Sequence, residues 1–379
     1  MQALLGIIYH FMGGVASGSF YIPYKKVKEW SWETYWLVGG LFSWLIVPPL
    51  VAWITIPDFT TIIAEAAFTT LFWIFFWGIL WGIGGLMYGL GMRYLGMSLG
   101  NSVLLGFTSA FGSLAPPVYY DLAGVEGKVT FTQLLQTTWG NVILLGVVLC
   151  LLGIYICGRA GFSKEKELPE EKKKDSVKEF NLKKGLIVCI ISGILSAGFN
   201  YGIEAGSALA DKADAIWKLA NPQETVNFLF RNNVVYVVLL WGGLTTNLIW
   251  CLILNARNKT FGDYTNIKTP LAKNYLFCAI AGTTWFLQYF FYGMGESKLG
   301  NGASSWILHM AFIILVANFW GFALKEWSGV SRKTRNTIIL GIATIILAVI
   351  VVGYGNSLHD SNILTEDKNA KAGTCYSCF

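Results

Sequence analysis

His10 and His309 each lie near the middle of a long uncharged stretch of this 379-residue chain. An imidazole titrates close to neutral pH, so a histidine facing a wet cavity inside a membrane can take up and release a proton. Ionisable side chains within apolar spans are costly and mark function by default. The competing explanation is a histidine satisfied by hydrogen bonds in a helical core. Glu204 closes one apolar stretch and Glu296 stands between two others. Both are further proton-carrier candidates, although a helix-end position explains a carboxylate there more simply.

Another set of residues suits a neutral polyol. The run Thr283-Thr284-Trp285-Phe286-Leu287-Gln288-Tyr289-Phe290-Phe291-Tyr292 spaces Trp285, Gln288, Tyr289 and Tyr292 by three and four residues. They therefore share one helical face. A sugar needs amide or hydroxyl partners for its oxygens and flat apolar rings for its C–H side. Trp81, Tyr88, Asn101, Asn200, Tyr201 and Trp306 are further binding candidates by the same chemistry. Interfacial anchoring would explain aromatics alone. Gln288 argues against it, because a mid-span amide facing lipid is expensive.

The elements that position these groups are membrane spans. Apolar residues make up 54% of the chain and charged residues 13%, with mean hydropathy +0.53. Ordinary soluble domains carry about 25% charged residues. Ten stretches lack Asp, Glu, Lys and Arg: 1–24, 34–57, 66–92, 94–120, 129–158, 185–203, 232–256, 274–295, 299–324 and 336–359. Crossing the hydrocarbon takes about 20 helical residues, so an all-α integral membrane protein with ten transmembrane helices is expected. A membrane β-barrel would need strands of about ten residues in strict alternation. The first stretch has no basic residue before it and no small-residue cleavage site, so it is expected to be a span rather than a leader.

The chain is also written twice. Gly78, Trp81, Tyr88, Gly89, Gly91, Leu95 and Gly96 recur at the same spacing as Gly282, Trp285, Tyr292, Gly293, Gly295, Leu299 and Gly300. Gly6, Ile8, Gly14, Ser17 and Phe20 are echoed by Gly185, Ile187, Gly193, Ser196 and Phe199. Five spans per half is an odd number, so the halves are expected in opposite orientations, with a substrate site between them. The expected units are 1–158 and 185–354, a charged linker 159–184, and a polar tail 355–379 without fixed structure. Small-x₃-small glycines such as Gly78/Gly82 and Gly96/Gly100 predict close helix crossings. Arg93 alone separates the third and fourth stretches, so a tight turn is expected there.

Of the 28 Lys and Arg residues, 21 fall in the linker and the alternate connections on its side. The positive-inside bias puts that side in the cytoplasm and both termini in the periplasm. Residues 25–33, rich in Lys and Trp, read as a headgroup anchor or as a cytoplasmic gate. Residues 211–231 suit short amphipathic helices broken at Asn221-Pro222. The linker interleaves acids with its bases, which excludes a nucleic-acid role.

No nucleotide-binding glycine loop, paired zinc ligands or Ser/His/Asp order stands out, so no cofactor, metal or enzymatic activity is expected. Uphill transport would draw on an ion gradient. Cys150, Cys157, Cys189, Cys251 and Cys278 sit in spans as small apolar residues. Cys375 and Cys378 form a lone C-x-x-C with no second pair.

Tyr88-Gly-Leu-Gly-Met-Arg-Tyr-Leu-Gly-Met-Ser98, Trp285-Phe-Leu-Gln-Tyr-Phe-Phe-Tyr292, Ser305-Trp-Ile-Leu-His-Met310 and Leu324-Lys-Glu-Trp327 resemble the L-rhamnose–proton symporters of the drug/metabolite transporter superfamily. The resemblance runs in order from about Gly6 to Tyr354. It implies an inverted five-plus-five repeat and proton-coupled uptake of a methylpentose across the bacterial inner membrane. It also assigns the family's span-1 and span-9 histidines to His10 and His309. The chain departs at Glu204, in a shorter connection at 300–303 and in a longer tail. An exporter or a carrier of another small metabolite is the alternative. The implied partners are a sugar, a proton and the lipid bilayer.

Overall fold

The computed structural model describes residues 2–167, 182–224, 226–323 and 327–375, except the side chains of 92, 93, 96–99, 101, 102, 165, 182 and 360–375. The linker centre 168–181, the Asn101 side chain and the Cys375/Cys378 thiols lie outside the described residues. Among the described residues every regular element is helical. We number the principal helices α1 (Gln2–Ser19), α2 (Trp32–Thr55), α3 (Phe68–Ala123), α4 (Thr138–Glu167), α5 (Leu182–Ser196), α6 (Gly198–Ala205), α7 (Ser207–Ala220), α8 (Asn233–Asn258), α9 (Leu271–Leu299), α10 (Gly302–Ala323) and α11 (Arg332–Cys375). Eight segments are long and apolar enough to cross a membrane, with Lys183–Ala205 forming one across α5 and α6. The protein is therefore an integral membrane protein.

Two expected spans fall outside those eight, and each for a visible reason. The stretch 94–120 is part of the 56-residue helix α3. Ser192 Oγ donates to Gly84 O at 2.6 Å, while Thr108 Oγ1 donates to the neighbouring Gly193 O at 3.0 Å. Residues 84 and 108 of a straight helix would be about 36 Å apart. The helix must double back. A Cβ at Gly185 would touch Leu95 and one at Gly193 would touch Leu104, so the reversal lies between Leu95 and Leu104, beyond Arg93. The other stretch lies in α9, whose 29 residues include Thr283, Thr284, Gln288 and Glu296. Its polarity, not its length, sets it apart.

Each half's first helix is gripped by the other half. A Cβ on Gly6 of α1 would lie 2.7 Å from Leu299 of α9, and one on Gly185 of α5 would lie 2.5 Å from Leu95 of α3. Leu299 and Leu95 are repeat counterparts. Gly282 packs with its Cβ position 2.1 Å from Gly39 O, and Gly78 likewise 2.1 Å from Leu239 O, beside Gly242. Glycine backbones let these helices approach to contact, which replaces the hydrophobic drive missing between helices in lipid. At the periphery α4 and α11 cross through Gly146, Gly153 and Gly341.

The end of the molecule formed by residues 25–33 and 257–274 is closed. Lys28 N donates to Asn274 Oδ1 and Lys28 O accepts from Asn274 Nδ2, while Ser31 N and Thr34 Oγ1 both donate to Asp263 Oδ2. Glu33 Oε1 accepts from Asn258 and Thr260. Trp30 is buried against Tyr275 rather than lying at a surface. α7 ends at Ala220 with Asn221 as its C-cap, so the break falls at Asn221-Pro222 as expected, but no second helix follows it before Arg231 among the described residues. The helix of α11 continues through the polar tail to Cys375 instead of ending near Ser357. Leu364, Glu366, Lys368, Ala370, Lys371 and Ala372 are good helix formers, and from Asn356 to Ala372 there is no Gly or Pro.

Candidate functional site

The two histidines, one in each half of the sequence, meet in the core. His10 and His309 are both 0% exposed. Their ring centroids are 6.1 Å apart, and Tyr292 touches both, at 5.3 Å from His10 and 5.2 Å from His309. α1 can place His10 here because Gly295 of α9 carries no side chain. A Cβ there would sit 2.7 Å from His10 Nε2. Gly13 opens the same space for His309.

Among the described residues, all four ring nitrogens lack a hydrogen-bond partner. Neighbouring side chains and backbone therefore do not supply the hydrogen bonds that a satisfied core histidine would make. Ser305 Oγ and Tyr236 OH are likewise buried and unpartnered. Buried polar groups are hydrogen-bonded in the great majority of cases, so such a cluster is a candidate site.

An aromatic wall adjoins the histidines. Trp44, Trp81 and Trp285 lie with ring centroids 5.6 to 6.3 Å apart. Tyr289 approaches Trp285 at 5.2 Å and stacks on Phe199 at 3.7 Å. Trp44 is delivered by a π-helical turn at Leu41–Ile46. Pro48 and Pro49 follow it. Neither has an N–H for the carbonyls four residues back, at Trp44 and Leu45, and a widened turn relieves the resulting conflict. Gly40 leaves room for the Trp44 ring.

Gln288 is 4% exposed, and its Nε2 donates to Trp285 O at 2.9 Å. Asn200 joins the halves: its Nδ2 donates to Gly112 O at 2.7 Å and its Oδ1 accepts from Tyr292 OH at 3.2 Å. Trp306 supports Tyr292 from behind at 5.8 Å, with its indole N–H bound to Thr108 O.

Asn200 also lines a cavity of about 280 Å³ at the end of the bundle opposite the closed one. Here Glu204 accepts hydrogen bonds from Tyr120 OH and from Lys128 Nζ, the latter at 3.2 Å. Glu296 binds Arg231 at 3.1 Å and Asn232 at 2.8 Å. The two glutamates thus form the charged walls of a vestibule. Neither touches the histidines.

The sequence candidates divide accordingly. His10, His309, Trp81, Trp285, Gln288, Tyr289, Asn200 and Trp306 converge, and Glu204 and Glu296 mark the mouth. Tyr88 does not join them. It packs near Leu95, Leu104 and Cys189, two turns or about 10 Å beyond Trp81 along α3. Tyr201 is also displaced, donating to Phe111 O at 2.9 Å and packing on Trp77. Trp44, Tyr236, Lys128 and Arg231 were not singled out for this site from the sequence. Only the prolines after Trp44 carried a local signal.

A family model described as L-rhamnose-proton symport protein matches residues 1–358. The chain belongs to the L-rhamnose-proton symport protein family. Proteins named L-rhamnose-proton symporter from Yersinia pestis (strain Pestoides F) and Yersinia pseudotuberculosis serotype O:1b (strain IP 31758) are each 39% identical over 357 residues. Those alignments cover 93% of this chain and 98% of each relative. The matched span covers both histidines and the whole aromatic wall.

Proposed function

We propose that this chain takes up L-rhamnose together with a proton across the bacterial inner membrane by alternating access. The observation that carries the reading is the buried His10–His309 pair, with four unpartnered ring nitrogens, behind the Asn200–Tyr292 hydrogen bond at the base of a polar vestibule. A proton entering this pair converts an acceptor nitrogen into a donor for a sugar hydroxyl. The protonated state therefore binds sugar more tightly, and by linkage the sugar holds the proton. Trp44, Trp81, Trp285 and Tyr289 supply the flat apolar surface for the pyranose C–H face and the methyl.

The architecture that goes with this reading is ten helices in an inverted repeat. It adds the returning arm of α3 and the polar helix α9 to the eight apolar spans. The matched contacts Gly6–Leu299 and Gly185–Leu95, and Gly282–Gly39 and Gly78–Gly242, support it. With the basic connections in the cytoplasm, both termini are periplasmic and the vestibule opens outward.

Radiolabelled L-rhamnose uptake into membrane vesicles, with and without an imposed pH gradient, tests the function. Accumulation is expected only with the gradient, and net accumulation that survives its collapse would overturn symport.

A further inference from the structure

The sequence repeat lets the two ends of the molecule be compared contact by contact. Gly14, Ser17 and Phe20 at the end of α1 recur as Gly193, Ser196 and Phe199 across α5 and α6. A Cβ at Gly14 would lie 2.5 Å from Phe312 Cβ of α10, and one at Gly193 would lie 2.7 Å from Phe107 Cβ on the returning arm of α3. At this level the two copies pack alike. Beyond it they part.

On the α1 side the seam stays shut. A Cβ at Gly18 would meet Val316 Cγ1 at 2.5 Å, and the Trp320 indole N–H donates to Ser19 Oγ at 2.9 Å. From His309 to Trp320 α10 rises about 16 Å, roughly half of a hydrocarbon layer about 30 Å thick. The α1–α10 seam therefore spans the depth from the buried histidines to one membrane surface. On the α6 side, longer side chains bridge where Gly18 and Val316 touch directly. Asn200 Nδ2 reaches Gly112 O at 2.7 Å and Tyr201 OH reaches Phe111 O at 2.9 Å. Past them the vestibule opens between Ile203 and Glu204 of α6 and Pro116, Pro117 and Tyr120 of α3, with the Tyr120–Glu204 hydrogen bond reaching across it.

A second pair of counterparts does not differ in this way. Residues 25–33 are tied to 257–274 at one end through Lys28–Asn274 and Ser31–Asp263. At the other end Lys212 Nζ binds Glu65 at 2.6 Å, and Asn233 Nδ2 donates to Thr55 Oγ1 at 2.9 Å. An inverted repeat changes its open side by moving one bundle against the other around a fixed site. Contacts alike at both ends then persist, and contacts that differ are the ones exchanged.

We propose that the α1–α10 seam, at Gly18–Val316 and Ser19–Trp320, is the inner gate, which parts as α6 closes on the returning arm of α3. Residues 25–33 stay latched throughout. The proposal rests on the sugar-transport reading and its inverted repeat.

Cysteine accessibility tests it. Val316→Cys and Ser19→Cys probe the seam, and Ser207→Cys probes the vestibule lining. Ser31→Cys probes the latch, where the serine side chain makes no capping bond. Each is made in a background of Cys375→Ser and Cys378→Ser. Purified full-length protein in nanodiscs presents both faces, so labelling by a water-soluble maleimide does not depend on orientation. On adding L-rhamnose at acid pH, labelling at Val316→Cys and Ser19→Cys should quicken roughly 5- to 50-fold, as a minor state of about 1–10% becomes half the population. By the same shift Ser207→Cys should slow about twofold, while Ser31→Cys holds its rate. A rise at Ser31→Cys without one at the seam would put the gate at the latch and overturn the proposal. Constant rates at all four positions, in variants that still take up sugar in proteoliposomes, would overturn the gate and leave the transport reading standing. Absence of L-rhamnose uptake by the parent protein would overturn that reading, and the gate with it.

Discussion

The geometry of the histidine pair predicts how many protons move with each sugar. Two imidazolium charges 6.1 Å apart repel by about 2.7 kcal/mol at an effective dielectric constant of about 20. That is about a hundredfold penalty against the second proton, so the pair holds one proton at a time. A charge entering through about 100 mV gains about 2.3 kcal/mol. A neutral sugar then accumulates roughly 40-fold with one proton and roughly 1,600-fold with two. The assay is static-head accumulation of L-rhamnose in vesicles clamped at that potential with no pH gradient. The perturbation is His10→Gln or His309→Gln. Either variant removes one of the two titratable rings, so its accumulation should fall towards onefold while sugar-for-sugar exchange persists. Parent accumulation near the two-proton figure would refute the shared-proton argument. Equal loss of uphill transport and exchange would show that the histidines bind or pack rather than couple.

Trp285→Ala and Gln288→Ala should raise the half-saturating sugar concentration at normal membrane abundance, Gln288→Ala by roughly 5- to 150-fold; unchanged affinity in both would remove the aromatic wall from binding. Gly78→Ala and Gly282→Ala each drive a methyl into a backbone carbonyl 2.1 Å away, so each should destabilise by about 1–3 kcal/mol and lower abundance alike. Gly85→Ala, with nothing within 4 Å, should leave abundance unchanged. Hydrogen bonds from Thr334 Oγ1 and from the Ser331 backbone and hydroxyl hold the Glu167 carboxyl below the usual carboxylate range. Its folded value is the lower one, so this stabilisation is present above the unfolded value and is lost as pH falls through the folded value; Glu167→Gln should flatten the thermal-unfolding midpoint between neutral and acid pH. An impermeant thiol reagent should label Cys375 or Cys378 from outside intact spheroplasts after reduction, and labelling only after lysis would reverse the orientation.

Most of the architecture was legible because lipid leaves the chain few choices. Charge-free stretches of about 20 residues must be helices, and repeated glycines at fixed spacing announce close crossings before any coordinate is seen. His10, His309 and the Trp285–Tyr292 face stood out for the same reason: polar groups at mid-span are too expensive to be incidental. The sequence could not say which of them meet. Trp81 and Tyr88 lie on the same repeat motif, yet Trp81 reaches the site while Tyr88, two turns or about 10 Å farther along α3, packs near Leu95 and Cys189. Glu204 and Glu296 read as helix ends until the fold set Lys128 and Arg231 against them. Trp44 was one tryptophan among sixteen until a π-turn ahead of two prolines aimed it at Trp81 and Trp285. Local chemistry determined what each segment is. Contacts between residues hundreds of positions apart, which no local pattern encodes, decided which segments share a site.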